Sequence, residues 1–398
     1  MINIDSILIT IALVILIGYL GDYLFRVTRL PEAVILMLIG MLLVPIGHII
    51  PDRYVSLLKE LAPLFGDIAL VVIMFDGGRR ISFQVPLSSW GLGLTLAVLD
   101  IILPMAILTP FMYYVFNWPP IYGAILGTIL GETTSTVIIP IAVRLNISEY
   151  MYNVIVMEAT LNSVVSILVF YLLQILLNGN FTLQSYVKYT ISYFSIAVFL
   201  GLLVGILWLI AVNWIRGTRT YVVTVAIAFL LYGIVDLLGG AAVVAVLIFA
   251  IIIGNYELIS QHTGLKIKID EDMLNIVENE LEFLVRTFFY VLIGIIAIIS
   301  LYYTLLALLI TGLLVAIRFI EVNSLVKDQR FSKLLTTLVP RGLTAAVLAS
   351  MMLNMNYPPY SQEIFYITFM VIVFTNIIAS IMLAAISREV KVREAYVK

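Results

Sequence analysis

The sequence predicts an all-α polytopic membrane protein with about thirteen transmembrane helices. Three observations carry that expectation. Of its 398 residues, 63% are hydrophobic and only 12% charged. The mean hydropathy of +1.13 lies far above that of soluble globular chains. The apolar residues also fall into runs of about 20, the length that crosses the hydrocarbon core as a helix.

Taken in order, the runs are 5–23, 31–50, 61–78, 87–113, 120–143, 151–176 and 187–212, then 220–236, 239–254, 283–299, 301–320, 334–353 and 362–387. The separators are short and rich in turn formers: NWPP at 117–120, LNGNF at 177–181 and NYPP at 356–359. The longest polar piece, 255–281, contains KIKIDEDMLNIVENE and reads as a short amphipathic helix outside the membrane. The N-terminal MINIDSILIT lacks a basic n-region and a small-residue cleavage site, so it reads as the first span rather than a signal peptide.

Basic residues set the orientation. With the N-terminus outside and the C-terminus cytoplasmic, seventeen of the 22 lysines and arginines fall on the cytoplasmic side, Arg318 at the end of span 11 among them. Arg53, Lys59 and Lys188 lie outside, and Arg286 and Arg341 fall near or within spans. The net charge of −2 argues for no nucleic-acid partner. The absence of cysteine excludes disulfides, thiol catalysis and cysteine metal sites. Two histidines at span ends, His48 and His262, leave little for a metal enzyme, and no nucleophile–base pair or HExxH motif is present. An enzyme is not expected, nor is a cofactor.

Ionisable residues inside spans mark functional positions. The deep ones are Asp100, Glu132, Glu158, Arg286 and Arg341, with Asp67, Asp76 and Asp236 nearer the interfaces. Two arginines neutralise two of the three deep carboxylates and leave one in surplus. A surplus buried carboxylate binds a proton unless a cation replaces it. That competition is the minimal requirement for exchanging a cation for a proton.

Two spans read as broken. LGETTSTVIIP (130–140) puts Thr133, Thr134, Ser135 and Thr136 between Gly131 and Pro140. VPRGLTAAVLAS (339–350) puts Pro340 and Gly342 around Arg341. Interior proline frees a carbonyl, and paired discontinuous helices build mid-membrane ion sites in transporters. MEATLNSVVS (157–166) adds Glu158 and Asn162 one turn apart on one helix face, with Ser163 beside them. Facing span 5, these supply hard oxygen ligands suited to an alkali cation.

At these residues the chain resembles the monovalent cation/proton antiporter superfamily, the sodium/proton exchangers of prokaryotic electroneutral type. RLPEAVILMLIGMLLVP (29–45), MFDGGRRISF (74–83), LGETTSTVIIP, MEATLNSVVSILVF, GGAAVVAVLIFAIIIGN (239–255), RTFFYVLIG (286–294) and VPRGLTAAVLAS occur in the family's order. The resemblance implies inverted repeats, with discontinuous spans 5 and 12 crossed in a mobile core of about 87–176 and 301–387. It implies a dimerisation scaffold of about 1–78 and 220–299, a linking helix at about 187–212, a homodimer and alternating access. It also implies a Glu158–Arg341 pair and a structural or coupling role for Arg286, for which Asp100 is the expected partner.

The chain departs from the family where its motif keeps an aspartate: Ser163 follows Asn162, and span 5 has Thr133-Thr134-Ser135 in place of Thr-Asp-Pro. A serine hydroxyl coordinates a cation but does not titrate near neutral pH. Three readings stay open. Glu158, in the matching motif, is the proton carrier and is placed first. Glu132 beside the hydroxyl cluster is the second. A serine substitution that disables transport is the third. The expected cation/proton site is therefore Glu158, Asn162, Ser163, Thr133, Thr134, Ser135 and Glu132, with the alkali cation at Glu158, Ser163 and Thr133. The expected activity is exchange of Na+ (K+ or Li+ in its place) for H+ across a prokaryotic plasma membrane. The alternatives are a sodium-coupled organic-anion symporter and a non-transporting paralogue.

Overall fold

The computed structural model describes residues 4–28, 31–47, 52–84, 86–134, 147–179, 182–212, 220–263, 271–298, 300–355 and 357–397. These form helices joined by short turns and irregular stretches, with no strand among the described residues. We number the helices α1 (Ile4–Thr28), α2 (Glu32–Met41), α3 (Asp52–Arg80), α4 (Leu87–Phe116), α5 (Pro120–Gly131), α6 (Glu149–Asn178) and α7 (Leu183–Ala211). There follow α8 (Thr220–Leu237), α9 (Ala242–Gly254), α10 (Tyr256–Thr263), α11 (Glu271–Ile296), α12 (Leu301–Leu325), α13 (Gln329–Thr336), α14 (Leu343–Asn354) and α15 (Tyr360–Val397).

Every predicted span overlaps one of these helices. Six of them are long and apolar enough to cross a membrane unaided: α4, α6, α7, α8, α12 and α15. The others are shorter, broken or carry charge. Span 2 is α2 followed by a π-helical turn, Leu42–Ile46, where Pro45 cannot donate to the ladder. The 255–281 stretch behaves differently from its expectation. It does not form one separate amphipathic helix. Its first part is α10, bent by 61° from α9. Its last part, from Glu271, is the first turns of α11, continuous with span 10. The physical reason is a polar anchor: Glu278 takes an ion pair from Arg79, and Asn275 Oδ1 accepts from Arg79 at 3.0 Å.

Contacts divide the chain into two compact units. The first comprises residues 1–66, 88–167 and 284–398, the second residues 67–87 and 168–283. In the second, α9 packs along α7 and α8. Asn255 ties the α3 end to α9 by donating to Ile81 O at 2.8 Å and accepting from Phe83 N at 2.9 Å. In the first, α15 packs along α12 and α14, and α14 meets α5. Helices of that unit approach closely where side chains are smallest, as expected where dispersion rather than hydrophobicity drives association. A Cβ on Gly294 would lie 2.2 Å from the Met37 carbonyl, and one on Gly40 would lie 2.4 Å from the Val291 carbonyl.

Both predicted breaks belong to this first unit. Helix α5 ends at Gly131, and Glu132 turns to extended backbone with ψ 134°. Helix α14 starts only after an irregular stretch that runs through Pro340 and Arg341 to Gly342. The two breaks touch: Thr134 N donates to Pro340 O at 2.9 Å. Gly342 is required there, because a Cβ would meet the Thr134 side chain at 2.6 Å.

Candidate cation and proton site

The hydroxyl-rich break after α5 leaves backbone groups without helical partners, and buried groups of that kind need others. Asn162 of α6 supplies them. Its Oδ1 accepts from Thr133 N at 2.7 Å, and its amide donates to Gly131 O at 3.3 Å and Ala97 O at 3.4 Å. One fully buried amide thus fixes the end of α5 against α4 and α6. One turn further along α6, Ser166 donates to Thr128 O at 3.1 Å. On the other break, Arg341 N donates to Thr375 Oγ1 at 3.2 Å, and Asn376 donates to Arg341 O at 2.9 Å.

Glu132 sits where the breaks meet, only 2% exposed. One carboxylate oxygen accepts from Ser163 Oγ at 3.2 Å, the other from Gly342 N at 3.1 Å. Both donors are neutral. Thr133 Oγ1 is buried beside this group and has no hydrogen-bond partner among the described residues. Ser163 and Thr134 are half-buried, so the group is not sealed on every side. A carboxylate with hydroxyl and carbonyl oxygens around it can hold either a proton or a small hard cation.

Glu158 lies in a different setting. It accepts an ion-paired hydrogen bond from Arg318, and the same guanidinium donates to Asp100 at 2.9 Å and to the Leu335 carbonyl at 3.0 Å. Arg318 is 2% exposed, Glu158 0% and Asp100 4%. Such a buried network ties both carboxylates to one guanidinium through charge-assisted bonds.

Three expectations are corrected here. Glu158 pairs with Arg318, not with Arg341, whose guanidinium turns back to the Val339 carbonyl at 3.0 Å. Asp100 also pairs with Arg318, whereas Arg286 reaches Glu32 at 3.2 Å. Arg318 itself is not a cytoplasmic surface residue that contributes to the charge bias; it is among the largest fully buried side chains. Its burial comes from a helix that runs on to Leu325, so position 318 is inside the bundle rather than at a span end.

The structure therefore gathers Glu132, Thr133, Asn162 and Ser163, with Thr134 against Gly342. Glu158 and Asp100 form a separate cluster on Arg318. Ser135 lies outside the described residues, as do Thr136, Pro140 and His48. His262 caps its own helix through Nδ1 and Leu258 O at 2.9 Å. Sequence reasoning missed Arg318, Glu321, Thr375 and Asn376. Arg318 and Glu321 stand three apart in an apolar helix, and that i,i+3 spacing was the available signal.

The family model for the sodium/hydrogen exchanger transmembrane region matches residues 11–389. Two solved structures of the sodium proton antiporter MjNhaP1 from Methanocaldococcus jannaschii are similar in fold. One, at pH 8, has a TM-score of 0.80 at 19% identity and covers 96% of this chain and 98% of its own. The other, an electron-microscopy map, has a TM-score of 0.78 at 18% identity and covers 98% of each.

Proposed function

The chain belongs to the sodium/hydrogen exchanger family, and on that footing we propose that it exchanges Na+ for H+ with Glu132 as the exchanging carboxylate. That family is one of transporters, not enzymes, and the exchanged ions are its substrates. One observation carries the choice of residue: Glu132 is the deeply buried carboxylate whose hydrogen bonds come from neutral donors, at the contact of the two broken helices.

The arrangement supports the following roles. In the proton-loaded form Glu132 is neutral and its burial costs little. In the cation-loaded form the ion replaces the proton, and Ser163, Thr133 and Thr134 supply further oxygens. Asn162 positions the site by holding Thr133 and Gly131. Arg341 lies close enough to act on Glu132 through space. Glu158, held by Arg318, is a structural charge rather than the exchanging group. One carboxylate carrying either ion gives one-for-one, electroneutral exchange. The reading extends to a homodimer in a plasma membrane, N-terminus outside and C-terminus cytoplasmic. In it a mobile core of about 87–176 and 301–387 alternates against a scaffold of about 1–78 and 220–299 through helix 187–212.

Proteoliposomes loaded with a pH-sensitive dye test it. Wild type shows Na+-evoked proton flux, Glu132→Gln shows none while remaining folded, and Ser163→Ala shows a raised apparent KM for Na+. Wild-type flux in Glu132→Gln would reject Glu132 as the carrier. No cation-evoked flux in the wild type would reject antiport itself.

A further inference from the structure

We propose that the elbow between α12 and α13 is a binding surface for the headgroup of an anionic phospholipid, with Lys327, Arg330 and Lys333 as the residues that take its phosphate.

The exposed side of α12 sets the depth. Leu301, Leu305, Leu308, Gly312, Ala316 and Phe319 are all exposed and recur every three or four positions, so they form one stripe along the helix. The stripe rises about 27 Å from Leu301 to Phe319 at ~1.5 Å per residue, against roughly 30 Å for the hydrocarbon core of a bilayer. The residues that bracket it agree. Tyr302, 47% exposed, stands at its first end, where amphipathic rings favour the membrane–water boundary. At the other end the apolar face gives way to Asn323 and Ser324, both exposed. Helix α12 therefore meets the headgroup layer at Asn323, in the leaflet that the orientation above makes cytoplasmic.

At that depth the chain turns and presents cations. Asp328 caps α13 by accepting from Phe331 N at 2.8 Å, so its carboxylate is already engaged. Ser332 Oγ donates to Asn323 Oδ1 at 2.8 Å, which fixes α13 against the end of the exposed stripe. The apolar side of α13, Phe331, Leu334 and Leu335, joins the buried cluster that holds Val322 and Val326. Lys327, Arg330 and Lys333 are left on the exposed side, each three positions from the next. Glu149 adds an exposed carboxylate from α6, one residue before Tyr150, whose ring meets Phe331 at 6.1 Å. Three cations against Asp328 and Glu149 leave the elbow positive. A phosphodiester supplies the complementary charge and accepts from ammonium and guanidinium donors together, and basic segments beside a span attract anionic lipid. An acyl chain lying along the α12 stripe brings its own headgroup to this turn, an advantage that a dissolved anion lacks. The elbow also leads inwards: the Leu335 carbonyl, on α13, accepts from Arg318 at 3.0 Å, so a lipid that steadies α13 bears on the Asp100–Glu158 cluster.

The sequence has no cysteine, so a fluorophore on Ser324→Cys reports this turn and no other. The labelled full-length protein is placed in phosphatidylcholine bilayers that contain a quenching lipid, either phosphatidylglycerol or phosphatidylcholine, each carrying the same nitroxide high on its acyl chain. Each basic residue near the surface gives roughly a fivefold preference for anionic lipid. The three together should therefore favour the phosphatidylglycerol probe by at least about tenfold after screening by salt. Combined with Lys327→Gln, Arg330→Gln and Lys333→Gln, the label should be quenched by the two probes to within about twofold of each other. Equal quenching by both probes without the three substitutions overturns the proposal, and this outcome needs no charge variant to fold. A folded triple variant that keeps the preference overturns it too, because the rest of the surface is then its source. Displacement of the phosphatidylglycerol probe by millimolar glycerol phosphate would identify a site for a dissolved anion and would likewise overturn it.

Discussion

Replacing Arg318 by methionine removes the one cation that serves two buried carboxylates. The size of the effect follows from its contacts. Its guanidinium holds Asp100 at 2.9 Å, Glu158, and the Leu335 carbonyl at 3.0 Å, and all three charged side chains are at most 5% exposed. Breaking one buried ion pair by deleting a partner costs about 3–5 kcal/mol, because the other charge is left uncompensated. Here two carboxylates and a carbonyl lose their donor together. Protonation of the carboxylates limits the loss, so the top of that range, about 5 kcal/mol, is expected. That equals a change of about three to four orders of magnitude in the folding equilibrium. Thermal unfolding in detergent, followed by monodisperse recovery on size exclusion, measures it. The Arg318→Met protein should aggregate at temperatures where wild type is intact. The triple variant Arg318→Met, Glu158→Gln, Asp100→Asn should recover much of the loss, because neutral isosteres need no counter-charge. An Arg318→Met protein as stable as wild type, or a triple variant no better than the single one, would refute the view that this arginine neutralises the cluster.

Three further outcomes are expected. Asn162→Leu orphans Thr133 N and Gly131 O at the end of α5. At about 1–3 kcal/mol for each unsatisfied buried group it should lower both unfolding temperature and Na+ affinity, read by thermal shift with and without Na+. Ser163→Asp places a second carboxylate against Glu132, now 3.2 Å from the serine hydroxyl. Two carboxylates so close do not both ionise readily, so the pH profile of Na+-evoked flux should move to higher pH, seen by repeating the dye assay across pH. Glu278 stands before span 10, outside the membrane stretch of α11. Burial pushes its carboxyl up to about 7, against the pull of the Arg79 guanidinium. Burial outweighs the ion pair, so the folded chain holds this proton more tightly than the unfolded one. The stability it contributes is therefore present below the ordinary 4.5 and lost as pH rises through about 7. The loss is about 3 kcal/mol at ~1.4 kcal/mol for each pH unit. Wild-type unfolding temperature should fall across that window, and Glu278→Gln should flatten the profile.

The sequence alone determined the helices and where they break. Apolar runs of membrane length have few alternatives in lipid, because every backbone group must be satisfied within the segment. Gly131 and Pro340–Gly342 were legible as interruptions for the same local reason: glycine and proline act on the backbone where they stand. The neighbourhood of Glu132, Thr133, Asn162 and Ser163 was legible too, since helical spacing put Asn162 and Ser163 on offer and the hydroxyl cluster stood opposite. What only the tertiary structure decided is which charge meets which. Glu158 and Arg318 are 160 positions apart, and Asp100 and Arg318 are 218 apart. No periodicity relates residues so distant. Their meeting depends on the rotation of α4, α6 and α12 about their own axes. Position 318 was misread because a positive charge near the end of an apolar run looks like a cytoplasmic anchor. Helix α12 continues past it to Leu325, and two ion pairs compensate its desolvation. That choice of partner separates a carboxylate fixed by an arginine from one left to exchange.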